Sequence, residues 1–349
     1  MSMTIEEIRQ QPDTWQSTLD ITPAIWERIT ATNDLSGITH ALFVGCGTSL
    51  YIAQTAAHSF TELTGLSANA VPASEVFLSS RSILPRSGRI VAFLISRSGT
   101  TSEILLATDF LRSLGDRIIT IAVSCHGNTP LAARAHAAIE LPFAAETSVV
   151  MTKSFTTMLL TLQIVAATWA KDQSLLDELR TLPSTVTNLL PNFEAFARTY
   201  GETTQFRSTI YLGLGPNQGL AEEATLKLKE MTQQPCEAYN PLEFRHGPIS
   251  IVEPDTLVIL LEGLREAAFI QDVERDIAAH GAQVTRLAPY PSEVTASGVI
   301  MGEHLTDLAR CCLYLPAVQL LGSFRALAAG LDPDRPRNLN QVVVLHETS

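Results

Sequence analysis

Short apolar segments alternate with segments of helical period along the first half of the chain. The apolar segments are rich in β-branched residues and end in small or polar ones: HALFVG, RIVAFLIS, RIITIAVS and AAIELP. The segments between them repeat apolar residues every three to four positions, as in SLYIAQTAAHSFTEL and TSEILLATDFLRSL. Strands that alternate with helices predict a parallel sheet with helices on both faces.

The second half repeats this order. Its predicted strands are STIYLGLG, TLVILLEG, QVTRLAPY and CCLYLPAV, again with helical segments between them. Gly45 and Ser96, at the ends of the first two strands, are 51 residues apart by number, and Gly213 and Glu262 in the second half are 49 apart. So long a period indicates a duplicated domain, because solenoid repeats are much shorter.

We therefore predict an α/β protein with two doubly wound parallel-sheet domains in tandem. The expected boundaries are an N-terminal helical extension at 1–37, a first domain at 38–170, a helical connector at 171–207, a second domain at 208–330 and a C-terminal strap at 331–349. Pro12 and Pro23 are expected to break the helices of the extension. The polar run around Pro333 and Pro336 indicates a strap and not a third domain.

Charge and composition narrow the classes of partner. The 349 residues include 24 Lys and Arg against 36 Asp and Glu, a net charge of −12, so a nucleic-acid partner is not expected and an anionic ligand must be bound locally. The stretch MLLTLQIVAATWA is too short to cross a bilayer, and the acidic N-terminus does not resemble a signal peptide, so we expect a cytoplasmic protein. Five cysteines without CxxC spacing predict reduced thiols and no metal site, although Cys46 lies in a loop of interest.

Hydroxyl-rich loops follow the first two predicted strands. The candidate binding residues of the first loop, GCGTSL, are Gly47, Thr48 and Ser49. Those of the second loop, SRSGTT, are Ser96, Arg97, Ser98, Gly99 and Thr101. Ligands of doubly wound sheets bind at the carboxyl ends of strands, where helices begin. Glycines allow close backbone approach, and helix N-termini favour anions, so these loops together predict a phosphate-binding cradle.

Each loop alone is also typical of an ordinary turn with a Ser or Thr helix cap. The pair is more informative, because the corresponding loops of the second half, LGPNQ and LEGLRE, have no hydroxyl cluster. The glycine spacing is not GxGxxG and no Walker lysine follows, which disfavours a dinucleotide or ATP, and no cofactor is expected.

The motifs GCGTS, SRSGTT, MTKSF, LKLKE, EFRHGP and DRPRNL together resemble the sugar isomerase (SIS) family, with two domains in tandem. The resemblance extends from about residue 38 over nearly the whole chain. Within this family, the chain resembles the isomerase half of glucosamine-6-phosphate synthase and the SIS-type glucosamine-6-phosphate deaminases. The resemblance implies a flavodoxin-like fold and a sugar-phosphate substrate.

The resemblance also implies roles for single residues. Ser49, Ser96, Ser98 and Thr101 would bind the phosphate, with Thr48 beside them. Glu230 would move a proton between C1 and C2, with Lys227 as its neighbour in the helix. His246 would open the sugar ring in the partner's site, which implies a homodimer with shared active sites. A base over both carbons and an acid–base group at the ring oxygen are what aldose–ketose interconversion needs.

Three positions depart from the family pattern. Gln341 occupies the place of the strap lysine that forms a Schiff base in the synthase, and a glutamine cannot form an imine. Met151 and Arg97 replace a serine and a glutamine near the sugar. With about 37 residues before the first strand, no glutaminase domain is expected, so the nitrogen would arrive on the substrate.

These features favour a glucosamine-6-phosphate deaminase that releases fructose 6-phosphate and ammonia. An isomerase or deglycase of another anionic sugar remains open: a galactosamine phosphate, a fructosyl-amino-acid phosphate or a sulfonated sugar. A phosphosugar sensor is the alternative outside enzymes. Such regulators usually carry a helix-turn-helix, for which the acidic N-terminus is too short.

Overall fold

The computed structural model of the protein describes residues 2–295, 297–343 and 345. Its contacts divide the chain into two compact units. The N-terminal unit comprises Asp13–Thr147, Lys153–Arg180 and the tail from Asn340, and the C-terminal unit comprises the first helix through Pro12, Ser148–Thr152 and Thr181–Leu339. The units interleave along the sequence, so the domain boundaries expected above stay predictions.

A five-stranded parallel sheet forms the core of the N-terminal unit, in the order β2-β1-β3-β4-β5. Its strands are β1 (Ile38–Gly45), β2 (Ser67–Pro72), β3 (Arg89–Ile95), β4 (Ile118–Ser124) and β5 (Ala137–Glu140). The first helix of the chain, α1 (Met3–Arg9), belongs to the C-terminal unit. The helices of the N-terminal unit are α2 (Gln11–Thr32), α3 (Thr48–Thr64), α4 (Ala73–Leu78), α5 (Ser80–Ile83), α6 (Ser102–Ser113), α7 (Pro130–Arg134) and α8 (Lys153–Ala170).

A second five-stranded parallel sheet forms the core of the C-terminal unit, in the order β7-β6-β8-β9-β10. Its strands are β6 (Ser208–Gly213), β7 (Cys236–Tyr239), β8 (Thr256–Leu261), β9 (Gln283–Ala288) and β10 (Gly298–Ile300). The helices from the connector onward are α9 (Gln173–Gly201), α10 (Pro216–Thr232), α11 (Pro241–Phe244), α12 (Ala267–Ala279), α13 (Asp307–Arg310) and α14 (Tyr314–Ala328). Both sheets share one strand order, so the predicted duplication and the tandem α/β fold are confirmed.

The prediction of a strand at CCLYLPAV was wrong. Cys311–Leu313 form a turn of 3-10 helix, Tyr314 begins α14, and the last strand of the second sheet is β10 instead. The segment CCLYLPAV is apolar throughout, and a fully buried helix cannot be told from a buried strand by periodicity. The helical stretch Asp307–Ala328 is long and apolar enough to span a membrane by length and composition, but 89% of its apolar 18-residue window is buried inside the protein, as in a core helix.

Proline positions also differ from expectation. Pro12 lies in the first turn of α2, where its missing N–H costs no helical hydrogen bond. Pro23 lies inside α2 and does not end it, so the prediction of a break there was wrong. The helix is held by burial of Trp15 and Trp26, and the Trp15 indole N–H donates to Thr156 Oγ1 at 2.9 Å. Tertiary packing of this kind outweighs the local cost of a proline.

The start of the strap is hydrogen-bonded to the N-terminus of the chain through Asp334. The Asp334 carboxylate accepts hydrogen bonds from the backbone N–H groups of Met3 and Thr4 at 2.8 and 2.7 Å, at the N-terminus of α1. Hydrogen bonds from Ser2 and Thr4 help to hold the pKa of Asp334 below its usual value, although burial opposes them. Within the expected strap, Val344 and residues 346–349 lie outside the described part of the chain.

Candidate functional site

The loop after β1 leads directly into helix α3. Gly47 adopts a positive φ of 53° at the helix start, in the left-handed region that glycine tolerates best. Thr48 and Ser49 form the first turn of α3, and both are buried. Backbone N–H groups of such a first turn point along the helix axis and favour an anion.

The loop after β3 is folded around its own hydroxyl groups. Ser96 Oγ accepts the N–H of Gly99 at 3.1 Å and lies 3.3 Å from Thr101 Oγ1. Ser98 Oγ accepts from the N–H of Thr100 at 3.2 Å and from its hydroxyl at 2.9 Å. Thr101 is the residue that precedes the first turn of α6. The sequence SRSGTT therefore folds into a compact turn with its hydroxyls gathered at a helix N-terminus.

Gly99 cannot be replaced by a larger residue without moving this turn. Its φ is +64°, and a Cβ atom built on it would lie 2.5 Å from the Cβ of Thr129. The Gly99 carbonyl also accepts the N–H of Leu131 at 3.1 Å. The glycine is thus required both by its backbone conformation and by the close approach of the loop after β4.

The two hydroxyl loops lie at the same edge of one sheet. β1 and β3 are adjacent parallel strands, with Val44 opposite Leu94 near their carboxyl ends. We name the loop residues 46–49 and 96–101 the anion cradle. All eight predicted substrate-binding residues lie in it: Gly47, Thr48, Ser49, Ser96, Arg97, Ser98, Gly99 and Thr101. The arrangement can bind a phosphate or sulfonate through hydroxyls, backbone N–H groups and two helix N-termini.

We expect Ser98→Ala and Thr101→Ala each to raise KM by about 10- to 150-fold with a smaller effect on kcat. A hydrogen bond to a charged group contributes about 1.5–3 kcal/mol, and loss of it weakens binding of the anion before any chemistry. Steady-state kinetics measures this, with Ser113→Ala, at the far end of α6, as the control. Unchanged KM in both variants would contradict the anion cradle.

Arg97 carries a partner that the sequence did not indicate. The Arg97 guanidinium is 8% exposed and forms an ion pair with Glu146, Nη1 to Oε2 at 3.3 Å, and the Glu146 side chain is fully buried. Glu146 also accepts the backbone N–H of Ser154 at 3.1 Å and the Ser154 hydroxyl. Nothing in the spacing of Arg97 and Glu146, 49 residues apart, could have predicted this pair.

In the C-terminal unit, Lys227 lies between two carboxylates of α10. Lys227 Nζ is 2.5 Å from Glu230 Oε2 and 3.4 Å from Glu223 Oε1. The side chains of Lys227 and Glu223 are 1% and 0% exposed, whereas that of Glu230 is 18% exposed. The structure brings together the predicted residues Lys227 and Glu230 and adds Glu223, whose i,i+4 spacing to Lys227 was visible in the sequence.

His246 lies just beyond α11 and is exposed. Its backbone N–H donates to the Glu243 carbonyl at 2.9 Å, which closes the turn after this short helix. The next residue, Gly247, has a φ of +129°. An exposed imidazole on a tight turn suits a group that acts on a ligand outside its own fold, and its catalytic role stays a prediction.

The second half uses the position after β8 differently. Glu262, which follows β8 as Ser96 follows β3, is buried and accepts two hydrogen bonds at 2.6 Å from Arg286. The Tyr290 hydroxyl donates to the same carboxylate at 2.8 Å. Burial raises the pKa of Glu262, and the ion pair with Arg286 opposes that effect. An internal carboxylate at this position is unfavourable for anion binding, in agreement with the predicted asymmetry of the halves.

Cys46 precedes the anion cradle glycine and is half-buried. Burial raises the pKa of its thiol to about 11, and the nearby Glu103 carboxylate contributes in the same direction. A thiolate is the reactive form of cysteine, so this group is unsuited to nucleophilic chemistry near neutral pH.

The fold and the anion cradle define a class of parallel α/β proteins with hydroxyl-rich loops at the carboxyl ends of adjacent strands. The SIS domain family matches residues 34–168 and 204–286, which together make more than half of the chain. The chain therefore belongs to the SIS domain family.

Relatives agree with this assignment. The chain is 31% identical over 321 residues to the glutamine–fructose-6-phosphate aminotransferase [isomerizing] of Neisseria meningitidis, covering 86% of the chain and 51% of the relative. It is 27% identical to the enzyme of that name from Sulfurisphaera tokodaii, covering 98% of the chain and 56% of the relative. The chain thus spans about half the length of these curated relatives.

Solved structures show the same fold. A glucosamine-6-phosphate deaminase from Thermotoga maritima superposes with a TM-score of 0.81 at 28% identity, covering 99% of this chain and 100% of that one. A tagatose-6-phosphate ketose/aldose isomerase from Escherichia coli superposes with a TM-score of 0.87 at 23% identity, covering 99% of this chain and 96% of that one.

Proposed function

We propose that this protein is a phosphosugar isomerase that deaminates glucosamine 6-phosphate to fructose 6-phosphate and ammonia. Two features carry the proposal, one in each unit: the hydroxyl-lined anion cradle of the N-terminal unit, and in the C-terminal unit a half-buried carboxylate, Glu230, held beside a buried lysine. The first suits a sugar phosphate, and the second suits a base that moves a proton. The name of the Thermotoga relative supports the same reaction.

The proposed reaction begins with opening of the sugar ring. His246 opens the ring by moving a proton between the anomeric hydroxyl and the ring oxygen. Glu230 removes the proton at C2 and returns it to C1, while a proton passes from the C2 amine to the C1 oxygen, so the aldehyde becomes an alcohol and the amine an imine. Water adds to that imine, its hydroxyl to C2 and its proton to nitrogen. Ammonia then leaves with the remaining hydroxyl proton, and the carbonyl of fructose 6-phosphate remains. The atoms balance as sugar amine plus water giving ketose plus ammonia, and no cofactor is consumed.

Lys227 would position Glu230 in this scheme. Lys227 Nζ lies 2.5 Å from Glu230 Oε2 and so fixes the orientation of this carboxylate. Glu223 balances the charge of Lys227 from the other side. The exposure of Glu230 then leaves this carboxylate as the member of the group that a substrate can reach.

Gln341 supports release of nitrogen instead of capture of it. The side chain cannot form a Schiff base with a ketose, and its amide donates to the Thr147 carbonyl at 3.2 Å. Hydrolysis of the imine by water requires no such lysine. A substrate that brings its own nitrogen fits this residue better than one that must be aminated.

The alternative reaction is isomerisation or deglycation of another anionic sugar. Arg97 and Met151 differ from the family pattern near the sugar, and a sulfonate would fit the same hydroxyls as a phosphate. A panel of phosphorylated and sulfonated aldoses, amino sugars and fructosyl amines, followed by NMR, distinguishes these cases. Ketose without ammonia supports an isomerase, and ammonia only from a fructosyl amine supports a deglycase. Ligand binding without turnover of any sugar would support a sensor.

We propose further that the enzyme is a homodimer in which His246 serves the partner's site. Mixing inactive Glu230→Gln protein with inactive His246→Ala protein should then recover part of the wild-type activity, because mixed dimers contain one site with both residues. The measurement is the activity of mixtures after subunit exchange, which mass spectrometry of labelled chains monitors. No recovery despite exchange would place His246 within its own subunit's site or outside catalysis.

A further inference from the structure

Arg97 lies in the middle of the anion cradle, where a free cation would be expected to bind the anion directly. The side chain is instead 8% exposed and pairs with a carboxylate that is fully buried. Buried charges of this kind are retained only when they are compensated. The positive charge of Arg97 is therefore balanced inside the protein by Glu146.

Glu146 connects Arg97 to the start of α8. Its carboxylate accepts the Ser154 backbone N–H, in the first turn of that helix, together with the Ser154 hydroxyl. A carboxylate at a helix N-terminus is favourable in itself. The charge of Glu146 is thus balanced by Arg97 and by the N-terminus of α8. The backbone of Arg97 is held as well, because its carbonyl accepts the N–H of Cys125 at 3.0 Å.

Cys125 lies next to this pair: its backbone N–H donates to the Arg97 carbonyl at 3.0 Å, and its Sγ lies 4.0 Å from the Ser154 carbonyl. Burial raises the pKa of this thiol, the nearby Glu146 carboxylate raises it further, and Arg97 and Lys153 oppose that effect. Lys153 is the first residue of α8 and is buried. The Cys125 thiol therefore lies in the same buried region as the Arg97–Glu146 pair and the start of α8.

We propose that Glu146 is the counter-ion of Arg97 and that the pair acts on the bound anion as a neutral unit. Arg97 and Glu146 are positioning residues of the loop after β3, and affinity for the anion comes from the hydroxyls, the backbone N–H groups and the helix N-termini. This inference rests on the proposed role of the anion cradle. It predicts that the affinity for the anion depends on the net charge of the pair more than on the presence of the arginine.

Inorganic sulfate is the probe, because its charge is constant between pH 6 and 9 and it needs no turnover. Isothermal titration at low ionic strength gives its Kd for the wild type, Arg97→Gln, Glu146→Gln and the double variant. Arg97→Gln removes the cation paired with Glu146 and leaves the pair with a net negative charge, so Kd should rise about tenfold or more. Glu146→Gln should bind sulfate as tightly as the wild type or more tightly, and the double variant should return to within about threefold of it.

The alternatives give different orders. If Arg97 binds the anion directly, the double variant binds as weakly as Arg97→Gln, and the inference is overturned. If Glu146 acts only as a brace, Glu146→Gln weakens sulfate binding, which overturns it as well. Sulfate binding by the wild type with no activity on any sugar would contradict the proposed reaction alone. Absence of sulfate binding by the wild type would contradict the anion cradle and this inference together.

Two further sets of variants protect the test from effects of folding. Ser154→Ala removes one hydrogen bond of Glu146 and keeps every charge, so its sulfate Kd should stay within about threefold of the wild type, and a tenfold rise would overturn the inference. The exposed ion pair of Arg134 with Asp109, 2.8 Å apart in the same unit, gives the matched control. Arg134→Gln and Asp109→Asn change the net charge equally and should leave Kd unchanged, because solvent screens them.

Discussion

Glu230→Gln lowers kcat by about two to four orders of magnitude and changes KM little, if Glu230 is the base of the reaction. Glutamine keeps the size and the hydrogen-bonding shape of the side chain but cannot accept the proton from C2. Loss of a general base typically costs about a factor of 100 to 10,000, and a change confined to kcat indicates loss of an interaction made in the transition state. Steady-state kinetics at saturating substrate gives both constants.

Glu222→Gln is the matched control for this variant. Glu222 lies on the same helix, and its carboxylate accepts from Gln218 at 3.2 Å. We expect it to retain wild-type kcat within about twofold. Equal effects of the two substitutions, or a rise in KM with kcat unchanged in Glu230→Gln, would contradict the assignment of Glu230 as the base.

Lys227→Met is expected to cost about 3–5 kcal/mol of the free energy of unfolding. Lys227 is 1% exposed, and methionine fills a similar volume but leaves Glu223 buried without its cation. Removal of one member of a buried ion pair is strongly destabilising, because the remaining charge is neither paired nor hydrated. Urea denaturation followed by circular dichroism measures the loss, which should also abolish activity.

Lys229→Met tests whether the loss is specific to the buried cation. Lys229 lies two residues further along α10 and is exposed. Exposed substitutions usually change stability by about 0.5 kcal/mol or less. A loss of under about 1 kcal/mol in Lys227→Met, or equal losses in both variants, would show that Glu223 does not depend on Lys227.

The parallel sheets and the duplication were predictable because buried parallel strands are read directly from apolar runs. β1, β3, β4 and β5, and β6, β8 and β9, coincide with such runs. β2 was missed because its sequence, SANAVP, is largely exposed and weakly apolar at the sheet edge. The short strand β7 was missed as well, and α14 was taken for a strand because helix and strand are equally apolar when fully buried.

The anion cradle was predictable because its hydroxyls follow strand ends, where local sequence and topology coincide. Lys227 and Glu230 share a helix, so their spacing also carried information. The pair of Arg97 with Glu146 was hidden, since their contact depends on how the loop after β3 meets the start of α8. Charge balance inside a fold is a tertiary property, and one sequence gives no sign of which charges are compensated.

The most direct test of the proposed reaction is the stoichiometry of products from glucosamine 6-phosphate. Purified protein is incubated with this sugar alone, and ammonia and fructose 6-phosphate are quantified in the same sample by coupled enzymes. We predict that wild-type protein releases both in a ratio of one to one, without added glutamine or cofactor, and that Glu230→Gln releases neither above background. Turnover of another anionic sugar, with no ammonia from glucosamine 6-phosphate, would contradict the proposal.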